Sequence, residues 1–259
     1  MSTISIDQVK ELRDQTGVSI MQCRKALEEA GGDMEKATII LKKKSGDIAA
    51  KKSDRSAQDG IIAFKQAAAK AVAVVLNCET DFVAKNEEFI ALANKIADSA
   101  LANGEQAARD QAVTSVSELV QKIGENIQLG TITLVEGPVV GGYIHNQKAG
   151  AIVALSAGTP ELAKDVAMHG SAMKPAFVTG ADVPADARAK AEELFKEEVA
   201  VSGKPADIQA KMLEGKLNTY FKEQTLVDQM FIKDPSLTID AYLKKNGATI
   251  VAYKPLSLI

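Results

Sequence analysis

An apolar run, Ala71 to Leu76, leads within four residues into Thr80-Asp81-Phe82-Val83-Ala84-Lys85-Asn86, and that segment opens a long amphipathic stretch. An apolar run followed by helical spacing reads as a strand turning into a helix. The segment therefore sits at a strand-to-helix corner, with an acid and a large ring side by side. Such a corner can present a carboxylate and a hydrophobic wedge to something outside the chain. Equally, Thr80 or Asp81 can cap the helix while Phe82 fills the core. The residues alone leave both open.

Upstream, residues 1–44 read as a three-helix N-terminal domain. Ile6, Val9 and Leu12 share one face of the first helix, and Thr16-Gly17-Val18 breaks the chain. Ile20, Cys23, Leu27 and Ala30 keep helical spacing until Gly31-Gly32, and Asp33 caps a third helix with Ala37, Ile40 and Leu41 on its apolar side. Helices this short are marginal alone, so the three must pack together. Residues 45–59 are dense in charge and poor in large apolar groups, which reads as a linker, partly helical, with Lys42-Lys43-Lys44 just before it.

The rest reads as an α+β body in two halves, 60–138 and 139–259. Gly60 to Phe64 and Ala71 to Leu76 predict a hairpin, although Gln66 to Ala69 favours helix. A long helix is expected from near Ala84, through Phe89, Ala93, Ile96 and Ala100, and another through Val116, Leu119, Val120 and Ile123, stopped by Gly124. Ile127 and Leu129 alternate in one phase and Ile132 and Leu134 in the other, which predicts a bulge at Gly130-Thr131. Val139 to Ile144 and Ala151 to Leu155 are further strands, and a helix starts near Pro160. Without strict strand–helix alternation, antiparallel sheets with helices on one face are expected. Residues 184–222 carry narrow apolar stripes (Ala187, Ala191, Leu194; Ile208, Met212, Leu213, Leu217, Phe221) around the turn at Ser202 to Pro205, a projecting helical hairpin. A turn at Asp234-Pro235, a short helix capped by Thr238 and a last strand from Ala248 to Tyr253 complete the pattern.

Little in the chain points to covalent chemistry. The net charge of −3 argues against a general nucleic-acid binder, and the absence of tryptophan argues against base-stacking platforms. No apolar run approaches the roughly 18 residues of a bilayer span, and no basic-then-apolar leader opens the sequence, so a cytoplasmic location with no membrane contact is expected. Cys23 and Cys78 show no metal-ligand spacing with His145 or His169, and phosphate-loop and nucleophile-elbow motifs are missing, so no metal and no cofactor are expected. Two weak enzymatic readings stand beside this: Cys78 with a histidine as a thiol nucleophile and base, and Glu79 with Asp81 as an acid/base pair.

Several ordered segments are similar to one family. Val9 to Arg13, Thr16-Gly17 and Cys23-Arg24-Lys25-Ala26-Leu27 resemble the N-terminal ubiquitin-associated-like domain of elongation factor Ts proteins. Glu79 to Asn86 resembles that family's signature without departure. Lys122 to Ile127, Tyr143-Ile144-His145, Ala167-Met168-His169, Gly203-Lys204-Pro205 and Met212 to Lys216 resemble further blocks in the same order. The resemblance implies a core of two ferredoxin-like antiparallel-sheet halves, a projecting hairpin, and a non-enzymatic factor that promotes GDP release from elongation factor Tu. It implies partner contact, chiefly with the GTPase domain, by Thr80, Asp81, Phe82 and Val83, which push in near the partner's Mg²⁺ site, and secondarily by Met21, Arg24, Lys25 and His145. It also implies a candidate homodimer through the hairpin. Arg24 stands where the family has Lys, Gly170-Ser171 replaces an apolar-Ala pair and is expected to loosen its helix, and Asn146 replaces a Gly. The sequence ends at Ile259, where many members continue with a last helix; weaker contact with the partner's GTPase domain is the expectation. A competing reading is a helical adaptor that binds through residues 1–44 and the hairpin alone.

Overall fold

A computed structural model describes residues 4–258. Met1 to Thr3 of the predicted N-terminal domain and Ile259 of the last half lie outside them. Three helices come first: α1 (Ile6–Thr16), α2 (Ile20–Glu29) and α3 (Met34–Lys52). Side chains of Ser5, Ser19 and Asp33 cap them, each accepting a backbone N–H of the first turn. Leu12, Cys23, Leu27, Ala37 and Leu41 close a small core of their own.

Helix α3 does not stop at residue 44. It runs through Lys52, and Ile48 and Ala49 pack on the core of the next unit. The stretch read as a linker is therefore largely a shared helix. Charge density hid this, because only two of its side chains need to be apolar to seat one face.

The first half contains β1 (Asp59–Ala67), β2 (Lys70–Cys78), α4 (Asp81–Ala84), α5 (Glu87–Asn103), α6 (Glu105–Ile123) and β3 (Gln128–Glu136). The strands pair antiparallel in the order β1-β2-β3. Gly130 and Thr131 stand opposite the single residue Val75, which is the expected bulge. The hairpin turn is tighter than expected, with Ala68 at φ 48° in place of a helical segment.

The second half contains β4 (Val139–His145), β5 (Ala149–Leu155), α7 (Pro160–Met173), α8 (Ala185–Ala200), α9 (Ala206–Gln224), β6 (Met230–Phe231), β7 (Asp234–Thr238), α10 (Ile239–Lys245) and β8 (Ile250–Ser257). Its main sheet is antiparallel, in the order β4-β5-β8. Asp234-Pro235 opens the edge strand β7 rather than making a free turn. Gly170 does not loosen α7, which continues to Met173: the Tyr253 ring fills the space a side chain would take, and its hydroxyl donates to the Gly170 carbonyl at 3.1 Å.

Alternation along the strands builds three cores. Val72, Val74, Leu76 and Cys78 face α5 and α6, whereas Ala71, Ala73 and Val75 face the second sheet, where Ile152 and Ala154 meet them. Ala151, Val153 and Leu155 turn the other way, to α7. Successive side chains on a strand point to opposite faces, so strands buried on both faces read as continuous apolar runs. The result is an α+β body of four layers: helices, sheet, sheet, helices. The α8–α9 hairpin stands outside it, with no buried residue on α9.

Candidate functional site

At the end of β2 the sheet closes with Asn77 opposite Gln128 and Cys78 opposite Asp59. Beyond it the chain turns, and four residues form one helical turn, α4. Thr80 is its N-cap and accepts from the Val83 N–H at 3.4 Å. Lys85 and Asn86 then break the helix, and the Asn86 carboxamide caps α5 through the N–H groups of Glu88 and Phe89. The sequence pattern predicts one helix here; the structure has two, because both Thr80 and Asn86 compete as caps.

The break decides which way the ring points. Phe82 is 81% exposed, whereas Val83, its neighbour, is buried in the core of the first half. Phe82 does not fill the core. Val83 does, and its buried side chain anchors the turn. Asp81 is exposed and paired with Lys85 at 2.6 Å, an i,i+4 pair whose spacing is legible in the sequence.

The corner is held by crossing carboxylates. Glu125 accepts the Thr80 N–H at 3.1 Å and the Thr80 hydroxyl at 2.7 Å. In return Glu79 accepts the Asn126 N–H at 2.6 Å and lies 3.5 Å from the Arg55 guanidinium. That amide bond, with Arg55 nearby, holds the Glu79 carboxyl below its ordinary value. The Asn126 carboxamide donates to the Arg55 carbonyl at 2.6 Å, tying the clamp to the end of α3. Gly124, at φ 90°, ends α6 in the left-handed conformation that returns the chain to the corner. Glu125 and Asn126 belong to a block visible in the sequence; their pairing with residues 79 and 80 is not.

These contacts dispose of the enzymatic readings. Glu79 and Asp81 serve different partners. Cys78 is buried, its thiol donates to the Thr80 carbonyl at 3.2 Å, and burial pushes its pKa up to about 12. Neither histidine is hydrogen-bonded to it. His169 is buried in the other half, where Nδ1 accepts the Ile232 N–H at 3.2 Å and the opposite nitrogen, Nε2, donates to Gln229 at 2.9 Å.

The secondary residues are surface groups on other elements. Met21 is 71% exposed on α2, beside exposed Ile20. Arg24 pairs with Glu28 at 3.1 Å, and Lys25 is exposed. His145, at the end of β4, lies between the Tyr143 hydroxyl at 3.1 Å and Asn146 at 3.2 Å. None of them shares a hydrogen bond or ion pair with the corner among the described residues. Among those residues, too, no helix is long and apolar enough to cross a membrane.

Comparison with known proteins agrees over the whole length. The family model for elongation factor Ts matches residues 79–258. The elongation factor Ts of Cellvibrio japonicus is 43% identical, the alignment covering 100% of this chain and 91% of that protein. Those of Hahella chejuensis and Alcanivorax borkumensis are each 42% identical, covering 97% and 96% of this chain and 91% and 92% of theirs.

Proposed function

This chain belongs to the elongation factor Ts family of translation elongation factors, and from that premise we propose that it promotes GDP release from elongation factor Tu in the cytoplasm, with Phe82 and Asp81 as the working pair. The observation that carries this reading is the ring of Phe82, 81% exposed on a turn fixed from both sides. A large apolar side chain displayed this way on a rigid support suits insertion into a partner. Val83 and Thr80 support the turn rather than enter the partner.

An exchange factor must bind the emptied GTPase more tightly than the loaded one. Linkage then requires it to weaken nucleotide binding by the same factor. In the partner, Mg²⁺ neutralises the phosphate oxygens. A ring wedged beside that ion disturbs the groups that hold it, a carboxylate competes with the phosphate oxygens for it, and the diphosphate is left poorly held. Burying one Phe side chain is worth roughly 1.5–3 kcal/mol, which corresponds to about a ten- to hundred-fold change in nucleotide affinity. Wider docking, with Met21, Arg24, Lys25 and His145 as candidate contacts, supplies the rest.

The test is release of labelled GDP from elongation factor Tu in a stopped-flow instrument. The Asp81→Ala/Phe82→Ala variant is expected to fold normally and to slow release by about ten- to hundred-fold. Release at the wild-type rate removes the proposed role. The hairpin is a separate candidate, for a homodimer through exposed Leu194 and Ile208. Sedimentation of Leu194→Asp beside the wild type reads that directly: dimer lost supports it, identical profiles reject it.

A further inference from the structure

We propose that Glu125 is a positioning residue for exchange: its carboxylate sets the direction in which Phe82 leaves the protein. The inference rests on the function proposed above.

Four observations carry it. First, the β2–β3 ladder ends at Asn77 and Gln128 and the β1–β2 ladder one residue later at Cys78, so the backbone from Glu79 onward lacks sheet partners just where the exposed ring follows. Second, both oxygens of Glu125 are taken up by Thr80, one by its N–H and one by its hydroxyl. A two-point attachment by an ionised group fixes an orientation, whereas a single bond fixes only a distance. Third, Glu125 takes part in no salt bridge among the described residues, so surface ion pairing does not account for it. Fourth, Thr80 is also the cap of α4, the turn that carries Phe82 two residues later. The path is short: Glu125 to Thr80, Thr80 to the first turn, first turn to the ring.

The reciprocal bond, Asn126 N–H to Glu79, makes the two segments a closed loop of contacts rather than a single tie. Asn126 and Gln128 also donate to the Ser53 carbonyl, at 3.4 and 3.0 Å, just past the end of α3. The segment that aims the corner is thus the one that receives the N-terminal helices. A partner gripping those helices meets the ring at a set position, which is what pre-organisation requires.

A group that acts only through Phe82 lowers exchange no further than loss of Phe82 itself. This separates aiming from general stability. The measurements are GDP release from the partner GTPase over a range of factor concentrations, with thermal unfolding of the factor alone. Glu125→Ala is expected to lower the saturating release rate about tenfold, with half-saturation moved by less than about threefold. Glu125→Gln keeps an oxygen that accepts one Thr80 donor but loses the two-point attachment, so it is expected to recover only part of the rate. In a Phe82→Ala background, Glu125→Ala should cost less than about twofold more, the non-additivity of residues that act as a unit. Wild-type release by Glu125→Ala, or the same tenfold loss with and without Phe82, overturns the inference. Should Glu125→Ala not fold, Glu125→Gln in the two backgrounds gives the same reading: a lower saturating rate only where Phe82 is present supports it, and equal losses overturn it. If Phe82→Ala alone leaves release unchanged, it is the proposed function that fails; if Phe82→Ala slows release and neither Glu125 variant does, only the positioning role fails.

Discussion

Each half of the body turns from its central strand into a helix, and the two corners are built alike. In the first, Thr80 caps the turn, Phe82 is its second residue and Val83 its third. In the second, Thr159 caps α7, Glu161 is its second residue and Leu162 its third. Both threonines accept the N–H of the third residue, and both third residues are buried. Both corners are also tied to a distant segment, the first to Glu125 and Asn126, the second by Ser156 to Thr249 at 2.9 Å. They differ at the second position, which faces solvent in both. Glu161 is what a helix N-terminus favours, a carboxylate near the positive end of the dipole. Phe82 gains nothing there. An architecture used twice, with an apolar ring in the solvent position of one copy only, separates function from scaffold within a single molecule.

The shared part should be the costliest to break. Leu162→Ala is expected to destabilise the protein by about 2–5 kcal/mol, as for other buried leucines, with a matching fall in the urea midpoint. A loss below about 1 kcal/mol would mean that the third position does not anchor the second corner. Next comes the position that differs. Phe82→Glu makes the first corner like the second, and GDP release from elongation factor Tu should slow by about ten- to hundred-fold while unfolding is little changed. The reverse change, Glu161→Phe, should leave exchange as it was. If either variant does the opposite, the contrast between the corners has no functional content.

A pH profile sharpens the comparison more gently. His169 belongs to the second half alone, and burial holds its imidazole below the ordinary value. As pH falls below about 6.5, the unfolded chain takes up the proton before the folded one does. The stability due to the neutral ring is therefore complete above that pH and declines below it. The urea midpoint should drop between about pH 6.5 and 5, and His169→Gln should flatten that segment of the curve. The counterpart in the first half, Glu79, has a lowered carboxyl, so its contribution is present above about pH 4.3 and is lost only as pH falls below that. The smallest effect is expected from Lys85→Ala. Its pair with Asp81 is exposed, and such pairs contribute little. Exchange should shift by less than about threefold, and a larger change would assign Lys85 a part in the contact itself.

Local order was written plainly in the residues. Asp33 and Thr238 cap where a carboxylate or hydroxyl precedes apolar periodicity, and the bulge at Gly130-Thr131 follows from a slip in strand phase. Caps and turns involve partners two to four residues away, so a linear reading finds them. The apolar run Ala71 to Leu76 and the helical spacing after it placed Asp81 and Phe82 at a corner in the same local way. Less was legible where partners are distant. The charged segment after Lys44 gave no sign that Ile48 and Ala49 would seat on another core.

What the amino-acid sequence determined by itself, then, is the set of elements, their order and the presence of a strand-to-helix corner bearing an acid and a ring. Only the tertiary structure decided that Phe82 faces outward and Val83 inward, since that choice depends on which side of the turn meets the core of the first half. It also decided that Glu125, 45 residues from Thr80, would fix the corner. Adjacent side chains on a single helical turn differ in direction but not in pattern, and long-range hydrogen bonds leave no period to read. Their outcome is set by what packs around them.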